Sequence, residues 1–511
     1  MKTSPSVPLR PNLYQSAPVA AAARGEAEAV EASLFWRLAL WSALAAFFIL
    51  YSRFFDLAAN GLKVPRIILS LMVLFFLLSG QLLVFLRSTA GKILVLLLGW
   101  VSVTMLFSVW KGGSIPPYYQ LCQSTLVFAV AASLPLAMKN VKTMMSTLAF
   151  AGLVAALMSI PWGAYPSGRL SLMNGSYYDP NYYAMCLGAI APFFWAMAAG
   201  SRSIFVKIIG WTSLIPVLVT FARNGSRGSM FGFLIMLVVL FFISSAQAKI
   251  LIAAATFVAV VVALVAMPEY LRERYFTIFE IDSSAVEQLE TPSTTGGLSD
   301  YNRLQADTSS AQDRKRLLLR SIDLTFEHPL FGVGPGNFPT AVYDESKAAG
   351  APRNEWLVTH NSYTELSSET GIPGLILFLC FIAAGFHSLI FVLKRAKEDG
   401  VRPNAVAYAT AKYLLLSMVS LSISIFFLAV GYEFTIYLWA GMAVALRRTY
   451  EALPVAAEEA EEQPQLPQQR AVPSTPVFAP AYAKSQGRGR TARETAAEPA
   501  DRRIRFNRFR S

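Results

Sequence analysis

Histidine and arginine are the residues in this sequence whose types and positions could support chemistry. The chain has only three histidines, His328, His360 and His387. An imidazole titrates near neutral pH and can take a proton from a hydroxyl group, which supplies a factor of about 10² to 10⁴ in rate. His360 comes shortly before a long apolar run, so it can lie close to both water and a membrane surface. His360 is therefore the candidate catalytic base, with a structural interfacial histidine as the alternative.

Arginines near the predicted edge of a membrane are the second group of candidates. A guanidinium stays charged, and its planar fork binds phosphate through two parallel hydrogen bonds. Arg227 stands at the head of an apolar run and Arg223 precedes it in the same short loop, whereas Arg314 lies in a longer polar segment. A snorkelling interfacial side chain is the alternative for Arg227. Arg314 has basic neighbours, among them Arg316, so a solvated helix face is the alternative there.

Four further polar residues lie near the same predicted membrane edge. Asp179 and Asn181 precede an apolar run, and Asp179 could contact a sugar or an arginine. Asn361 follows the candidate histidine directly. Glu369 could pair with an arginine, could orient the histidine, or could simply be solvated at the interface. We treat all four as supporting candidates.

The sequence gives no indication of a cofactor. The three cysteines lie in apolar segments and form no CxxC pair, and no carboxylate cluster stands out in the predicted outer loops, so we predict no metal. Gly332, Gly334 and Gly336 lack the preceding strand and the Lys-Ser/Thr ending of a phosphate loop, so they predict a tight turn. The net charge of +12 lies largely in predicted cytoplasmic loops and the C-terminal tail. Together with the absence of a nucleic-acid motif, this favours anionic lipid over nucleic acid.

Composition and apolar runs predict an all-α integral membrane protein. Hydrophobic residues make up 54% of the chain and charged residues only 15%, whereas soluble proteins carry about 25% charge. Each spanning run must be helical because lipid offers the backbone no hydrogen-bond partners. Runs of about span length cover residues 34–51, 66–86, 92–110, 118–137, 143–162, 182–199, 204–221, 228–244, 249–267, 371–393, 406–430 and 432–446. The expected number of transmembrane helices is therefore about twelve.

The distribution of lysine and arginine predicts the orientation. Short loops on the side of the N-terminus hold more of these residues, which places both termini in the cytoplasm. The long polar segment after the ninth run is then extracytoplasmic. The predicted regions are a disordered cytoplasmic tail at 1–33, transmembrane helices one to nine at 34–267, a periplasmic loop at 268–368, helices ten to twelve at 369–446 and a disordered basic cytoplasmic tail at 447–511.

Several motifs together resemble a known family. "HNSYTELSSETGIPG" follows the pattern His-Asn, nine residues, Gly-x-x-Gly, which ends at Gly371 and Gly374. Upstream are "HPLFGVGPGNF", "NGSRGSMFGFLIML" and "NGSYYDPNYYA". In their order and spacing, over roughly residues 170 to 390, these motifs resemble the O-antigen ligase superfamily. That superfamily comprises O-antigen ligases, O-antigen polymerases and O-linking oligosaccharyltransferases of bacterial envelopes.

The resemblance implies a GT-C-like glycosyltransferase architecture and a specific reaction. A glycan would move from an undecaprenyl-pyrophosphate carrier to an acceptor hydroxyl, on lipid A-core or another acceptor, at the periplasmic face of the bacterial inner membrane. Arg227 and Arg314 would bind the pyrophosphate and His360 would remove the acceptor proton, although His360 could instead position the pyrophosphate. Such a donor already carries its activation energy, so neither ATP nor another cofactor is expected. Attack in line with the leaving group would invert the anomeric centre.

Two other functions compete with a ligase. A polymerase of the same family would join repeat units to one another, and the motifs do not exclude it. A secondary transporter with twelve spans is the alternative from another class. Transporters often show two related halves, whereas this sequence shows no half-to-half repeat and has one asymmetric polar segment before the tenth run. Both features disfavour transport.

Overall fold

The computed structural model describes residue 30 and residues 33–58, 63–200, 203–266, 269–276, 298–348, 357–398 and 404–453. The chain divides into two units, residues 1–461 and 462–511, and the described residues all lie in the first. Most of the two predicted tails, 1–33 and 447–511, therefore falls outside the described residues. The described residues form helices and one antiparallel pair of two-residue strands.

The elements are numbered in chain order. The helices are α1 (Leu34–Ser52), α2 (Phe54–Ala58), α3 (Val64–Leu78), α4 (Thr89–Thr104), α5 (Lys111–Ser133), α6 (Met138–Trp162), α7 (Pro180–Gly200), α8 (Ile204–Arg223), α9 (Arg227–Phe242), α10 (Ala246–Ala266), α11 (Glu269–Phe276), α12 (Leu298–Glu327), α13 (Phe338–Ala348), α14 (Ser362–Glu398), α15 (Ala405–Ser424) and α16 (Phe434–Glu451). The strands β1 (Gly163–Ala164) and β2 (Ser171–Leu172) pair between α6 and α7.

The helices confirm the all-α membrane class. Each predicted apolar run coincides with one helix among α1, α3 to α10 and α14 to α16. Among the described residues, six helices are long and apolar enough to cross a membrane: α1, α4, α6, α8, α14 and α15. The chain is thus a multi-pass membrane protein, and the total of twelve spans stays a prediction.

Three helix ends differ from the ends of the predicted apolar runs or segments. The second run extends to residue 86, but α3 ends at Leu78, because Gly80 takes a left-handed conformation that an α-helix cannot continue. α14 begins at Ser362, inside the segment 268–368, whose assignment as a periplasmic loop stays a prediction. The last run stops at 446, whereas α16 continues to Glu451. Both α14 and α16 include polar residues beyond the ends of their apolar runs.

Close approach of helices organises the interior. α16 packs along α5, and α14 contacts α4, α15, α16 and α12. Gly441 of α16 permits the first contact, because a Cβ atom there would lie 2.8 Å from Ala131 Cβ and 2.9 Å from the Phe128 carbonyl oxygen. Helices in lipid gain no hydrophobic free energy by associating with one another, so small residues that let backbones pack closely have a large effect.

The centre of the bundle contains large aromatic side chains. Trp439 is fully buried and stacks on Phe193 with ring centroids 5.7 Å apart. Tyr51 is also buried, and its hydroxyl donates a hydrogen bond of 2.6 Å to the Cys186 carbonyl oxygen. By contrast, many large apolar side chains of α8 are exposed, for example Ile204 at 70%. Apolar side chains on the outer surface are expected where lipid is the solvent.

The polar segment between α10 and α14 contains ordered helices. Residues 317–326 lie in α12, which packs against α14. A small separate core joins α12 to α13 and consists of Leu317, Leu324, Val333, Phe338 and Ala341. This core fixes α12 against α13, and α12 also packs against α14, so the segment can carry a side chain to a defined position.

Candidate active site

A break in α14 positions the elements around the candidate histidine. Gly371 has φ 74° and ψ 178°, which interrupts the helix, and a Cβ atom there would lie 2.0 Å from the Leu330 carbonyl oxygen. The break leaves backbone carbonyls free to accept hydrogen bonds from other segments. Val333 N donates to the Ser368 carbonyl at 2.9 Å, and Trp100 Nε1 donates to the Thr370 carbonyl at 2.8 Å.

The glycine turn at 332–336 sits in this break. Gly332, Gly334 and Gly336 all have positive φ, which confirms the predicted tight turn. Glu369 holds the turn: its Oε2 accepts from Gly336 N at 2.6 Å and from the Tyr432 hydroxyl at 2.8 Å. Glu369 is buried, with 3% exposure. The expectations that it pairs with an arginine, orients the histidine or is solvated are therefore wrong, since its partners are the turn amides and a tyrosine.

His360 lies directly before α14 in a left-handed backbone conformation, with φ 52°. Histidine enters this region more readily than most residues. Asn361 caps the helix, because its Oδ1 accepts from Tyr363 N at 2.9 Å and from Thr364 N at 3.2 Å. The Thr359 hydroxyl donates to the Asn361 carbonyl oxygen at 3.1 Å. The backbone is thus fixed on both sides of His360, and Asn361 acts as the cap that positions it.

Arg169 approaches the site from the loop between β1 and β2. It is 9% exposed, and its Nε donates to the Asn224 carbonyl oxygen at 2.9 Å. Its Nη2 donates to Asn181 Oδ1 at 2.6 Å. The Asn181 side chain in turn donates to Asp179 Oδ1 at 3.1 Å. Asn181 therefore links a buried guanidinium to an exposed carboxylate.

Arg227 is the first residue of α9, after the N-cap Ser226. The amino end of a helix carries partial positive charge, so a cation there is unfavourable by roughly 0.3–1 kcal/mol. The Arg227 side chain is half-buried, which adds a desolvation cost. A cation and a helix amino end at one place both favour a bound anion.

Arg314 reaches the site from α12 and is half-buried. Within the part of the chain that the structure describes, no hydrogen bond or ion pair engages its guanidinium. Burial lowers the pKa of Arg314, the nearby charge of Arg227 lowers it further, and Asp179 opposes both effects. The same neighbours act on Arg169, whose pKa burial lowers to about 10, with Asp179 opposing and Arg314 adding to the change.

These interactions define one group, the His360 cluster, which consists of Arg169, Asp179, Arg227, Arg314 and His360. Burial lowers the pKa of His360, Arg314 lowers it further and Asp179 opposes the change. The imidazole is therefore neutral at neutral pH and can accept a proton. Three guanidinium groups face a single carboxylate, so the cluster favours an anion with more than one negative charge.

The comparison with protein families bears on this arrangement. A family model described as O-antigen ligase matches residues 212–379. The resemblance to the O-antigen ligase superfamily is confirmed. A comparison with curated proteins gives no significant match. The family match implies a glycosyltransferase of the O-antigen ligase or polymerase type, which transfers glycans in the cell envelope.

The O-antigen ligase match covers only part of the His360 cluster. Arg227, Arg314 and His360 lie within residues 212–379, whereas Arg169 and Asp179 precede them. The loop after β1 therefore adds charged groups to the matched domain. Among the described residues, no group of three or more His, Cys, Asp or Glu side chains could hold a metal ion.

Two predicted supporting residues lie apart from the cluster. Arg223 is exposed, and its Nη2 donates to the Tyr165 hydroxyl at 3.3 Å. Arg316 pairs with Asp313 at 3.3 Å on the surface of α12, as the solvated-face alternative predicts. In the described part of the chain, neither side chain forms a hydrogen bond with a cluster residue.

One cluster residue was missed by the sequence analysis. Arg169 stands among ordinary outer-loop arginines, and no spacing rule relates it to Arg227 or Arg314, which follow 58 and 145 residues later. The available signal was a weak one: Arg169 is a basic residue on the predicted outer side, where lysine and arginine are scarcer.

Proposed function

We propose that this protein is an envelope glycosyltransferase that moves a glycan from undecaprenyl pyrophosphate to an acceptor hydroxyl on the periplasmic side of the inner membrane. The observation that carries the proposal is the His360 cluster, in which Arg314 acts on a neutral imidazole and is itself linked by charge to Arg227 and Arg169. The acceptor is lipid A-core or another glycolipid hydroxyl. The reaction needs neither a metal nor a nucleotide, because the lipid diphosphate is already an activated leaving group.

The arginines suit a diphosphate that gains negative charge as the glycosidic bond breaks. Stabilisation that grows towards the transition state accelerates the chemical step, whereas equal binding of substrate and transition state does not. Arg227 and Arg314 repel each other. A diphosphate between them would relieve this repulsion. Arg169 is held by Asn181 and the Asn224 carbonyl, so it presents a fixed charge to the same anion.

His360 suits the acceptor side of the reaction. Its lowered pKa keeps the imidazole unprotonated and able to accept the hydroxyl proton. A bound diphosphate would offset the charge of Arg314, which raises the proton affinity of His360 when the donor is present. Asp179 would stabilise the imidazolium that forms, since its charge already favours the protonated state. A role of His360 in positioning the diphosphate is the competing assignment within this site.

A ligase differs from a polymerase in the acceptor. Deletion of the gene in the source bacterium, followed by analysis of lipid-linked and surface glycans, tests the proposal. Loss of ligation leaves polymer on the lipid carrier and supports the ligase. Accumulation of single repeat units indicates a polymerase instead. Unchanged glycans with altered uptake of a solute would contradict an enzyme of either type and indicate a transporter.

A further inference from the structure

A cationic cavity lies between α4, α14 and α16, away from the ends of α4 and α16 that contact the break in α14. Its volume is about 770 Å³. α4 begins at this cavity with Thr89, whereas Trp100 farther along the same helix contacts the break in α14. α16 ends at the cavity with Arg447 and Arg448. No residue of the His360 cluster lines it, so the proposed glycan transfer does not account for it.

Two unneutralised arginines face this cavity. Arg448 donates from its Nη2 to the carbonyl oxygens of Ser133 and Pro135, which fixes its guanidinium at the carboxyl end of α5. The charges of Arg448 and Arg87 repel each other. Within the described residues, no ion pair or hydrogen bond engages Arg87, whose side chain is exposed at the cavity. An anion between these two side chains would remove the repulsion.

Other groups at the cavity add hydrogen-bond donors and neutralise one further arginine. Arg447 pairs with Glu451 at 2.9 Å, so this pair adds no net charge. Thr89 and Ala90, the first residues of α4, also line the cavity. Their backbone amides lie at the amino end of a sixteen-residue helix, where N–H groups are unpaired within the helix. Such a helix end strengthens the attraction for an anion that arginines already create.

The rest of the wall is mostly apolar, with Val84, Ile93, Ala384 and Val444 among its residues, and it also includes His387 and Ser388. We propose that this cavity binds a phosphate-bearing anion, either the headgroup of an anionic phospholipid or a free phosphate ion. Arginine forks and helix amino ends both recognise phosphate. The apolar wall favours the lipid, because a free ion gains nothing from it whereas an acyl chain does. Under the predicted orientation this end faces the cytoplasmic leaflet, where anionic lipids are common.

The experiment uses the full chain in nanodiscs and the variant Arg87→Gln. Exposure of Arg87 means that the change removes a charge without opening the core. Lys92→Gln is the matched control, since it removes one charge from an exposed position of α4 outside the cavity. Native mass spectrometry measures retained phosphatidylglycerol against phosphatidylcholine. Thermal unfolding in phosphatidylcholine nanodiscs, with and without inorganic phosphate, measures binding of the free ion.

Loss of one charged hydrogen-bonding partner weakens binding about tenfold or more. Selective retention of phosphatidylglycerol that falls about tenfold in Arg87→Gln, but not in Lys92→Gln, supports the lipid as the source of phosphate. Stabilisation by inorganic phosphate that Arg87→Gln abolishes supports the free ion. The proposal is overturned if wild-type protein neither prefers phosphatidylglycerol nor responds to phosphate. It is also overturned if both variants behave alike.

Discussion

Arginines gather at both ends of the helical bundle, but their surroundings differ. In the His360 cluster they come from the β1–β2 loop, the start of α9 and the middle of α12, and one of them, Arg314, acts on an imidazole whose residue has a left-handed backbone conformation. At the opposite cavity the arginines lie at helix ends, and the histidine there, His387, is exposed on a regular helix. An arginine group by itself only binds an anion. We therefore assign chemistry to the first end and binding alone to the second.

The largest effect that tests this comparison is expected for His360→Ala. Loss of a general base should lower kcat/KM for glycan transfer by about 10² to 10⁴. His387→Ala, the same change at the opposite end, should leave activity within about twofold because α14 is regular there and the side chain is exposed. The measurement is transfer of a lipid-linked glycan by purified protein. Equal rates for both variants would remove His360 from the mechanism.

The arginines of the cluster should show the next largest effect. Arg227→Ala and Arg314→Ala each remove charged hydrogen bonds to a diphosphate, worth about 1.5–3 kcal/mol, which lowers kcat/KM about tenfold to a hundredfold. Arg223→Ala is the matched control, since Arg223 lies near Arg227 but contacts Tyr165. Activity assays at matched protein levels in the membrane compare them. If Arg223→Ala is as inactive as Arg227→Ala, then activity depends on positive charge in this loop rather than on the cluster.

Glu369→Gln should affect stability more than chemistry. The amide oxygen can replace Oε2 and accept from Gly336 N and the Tyr432 hydroxyl, but the amide nitrogen then replaces Oε1, which accepts from Phe338 N at 3.4 Å. Two donors would face each other there, so the free energy of unfolding should fall by about 1–3 kcal/mol. Glu345→Gln breaks the exposed ion pair with Arg320 and should lower the free energy of unfolding by only about 0–1 kcal/mol. Thermal unfolding in detergent measures both. If Glu369→Gln unfolds like wild type, the carboxylate does not hold the glycine turn.

The smallest effect concerns the dependence of activity on pH. Burial and Arg314 lower the pKa of His360 below the usual value of 6.5. As the pH falls, the imidazole therefore stays neutral for longer than an ordinary histidine. The value of kcat/KM should fall only when the pH drops below the lowered pKa. Asp179→Asn removes the carboxylate that raises this pKa, so the acid limb should move to lower pH. A profile of kcat/KM against pH records the shift. Movement to higher pH in Asp179→Asn would contradict the arrangement of charges described here.

Much of the fold followed from the sequence. The apolar runs predicted where helices lie, because lipid forces every spanning segment to be helical. The ends of the apolar runs differ from the helix ends where a polar stretch is also helical, as at Ser362. Hydropathy detects only the apolar part of such a helix. Residue types and motif order also selected His360, Arg227 and Arg314, which the structure brings together. Sequence spacing could not relate Arg169 to them.

The amino-acid sequence by itself determined the helical membrane class, the family resemblance and the three side chains most suited to phosphate and proton transfer. Tertiary structure decided what each of those side chains faces. It placed a break in α14 at Gly371, assigned Glu369 to the glycine turn rather than to the cluster, and added Arg169 to the cluster. The physical reason is that hydropathy and residue type are local properties, whereas charge and hydrogen bonding at a site depend on segments that meet only after folding.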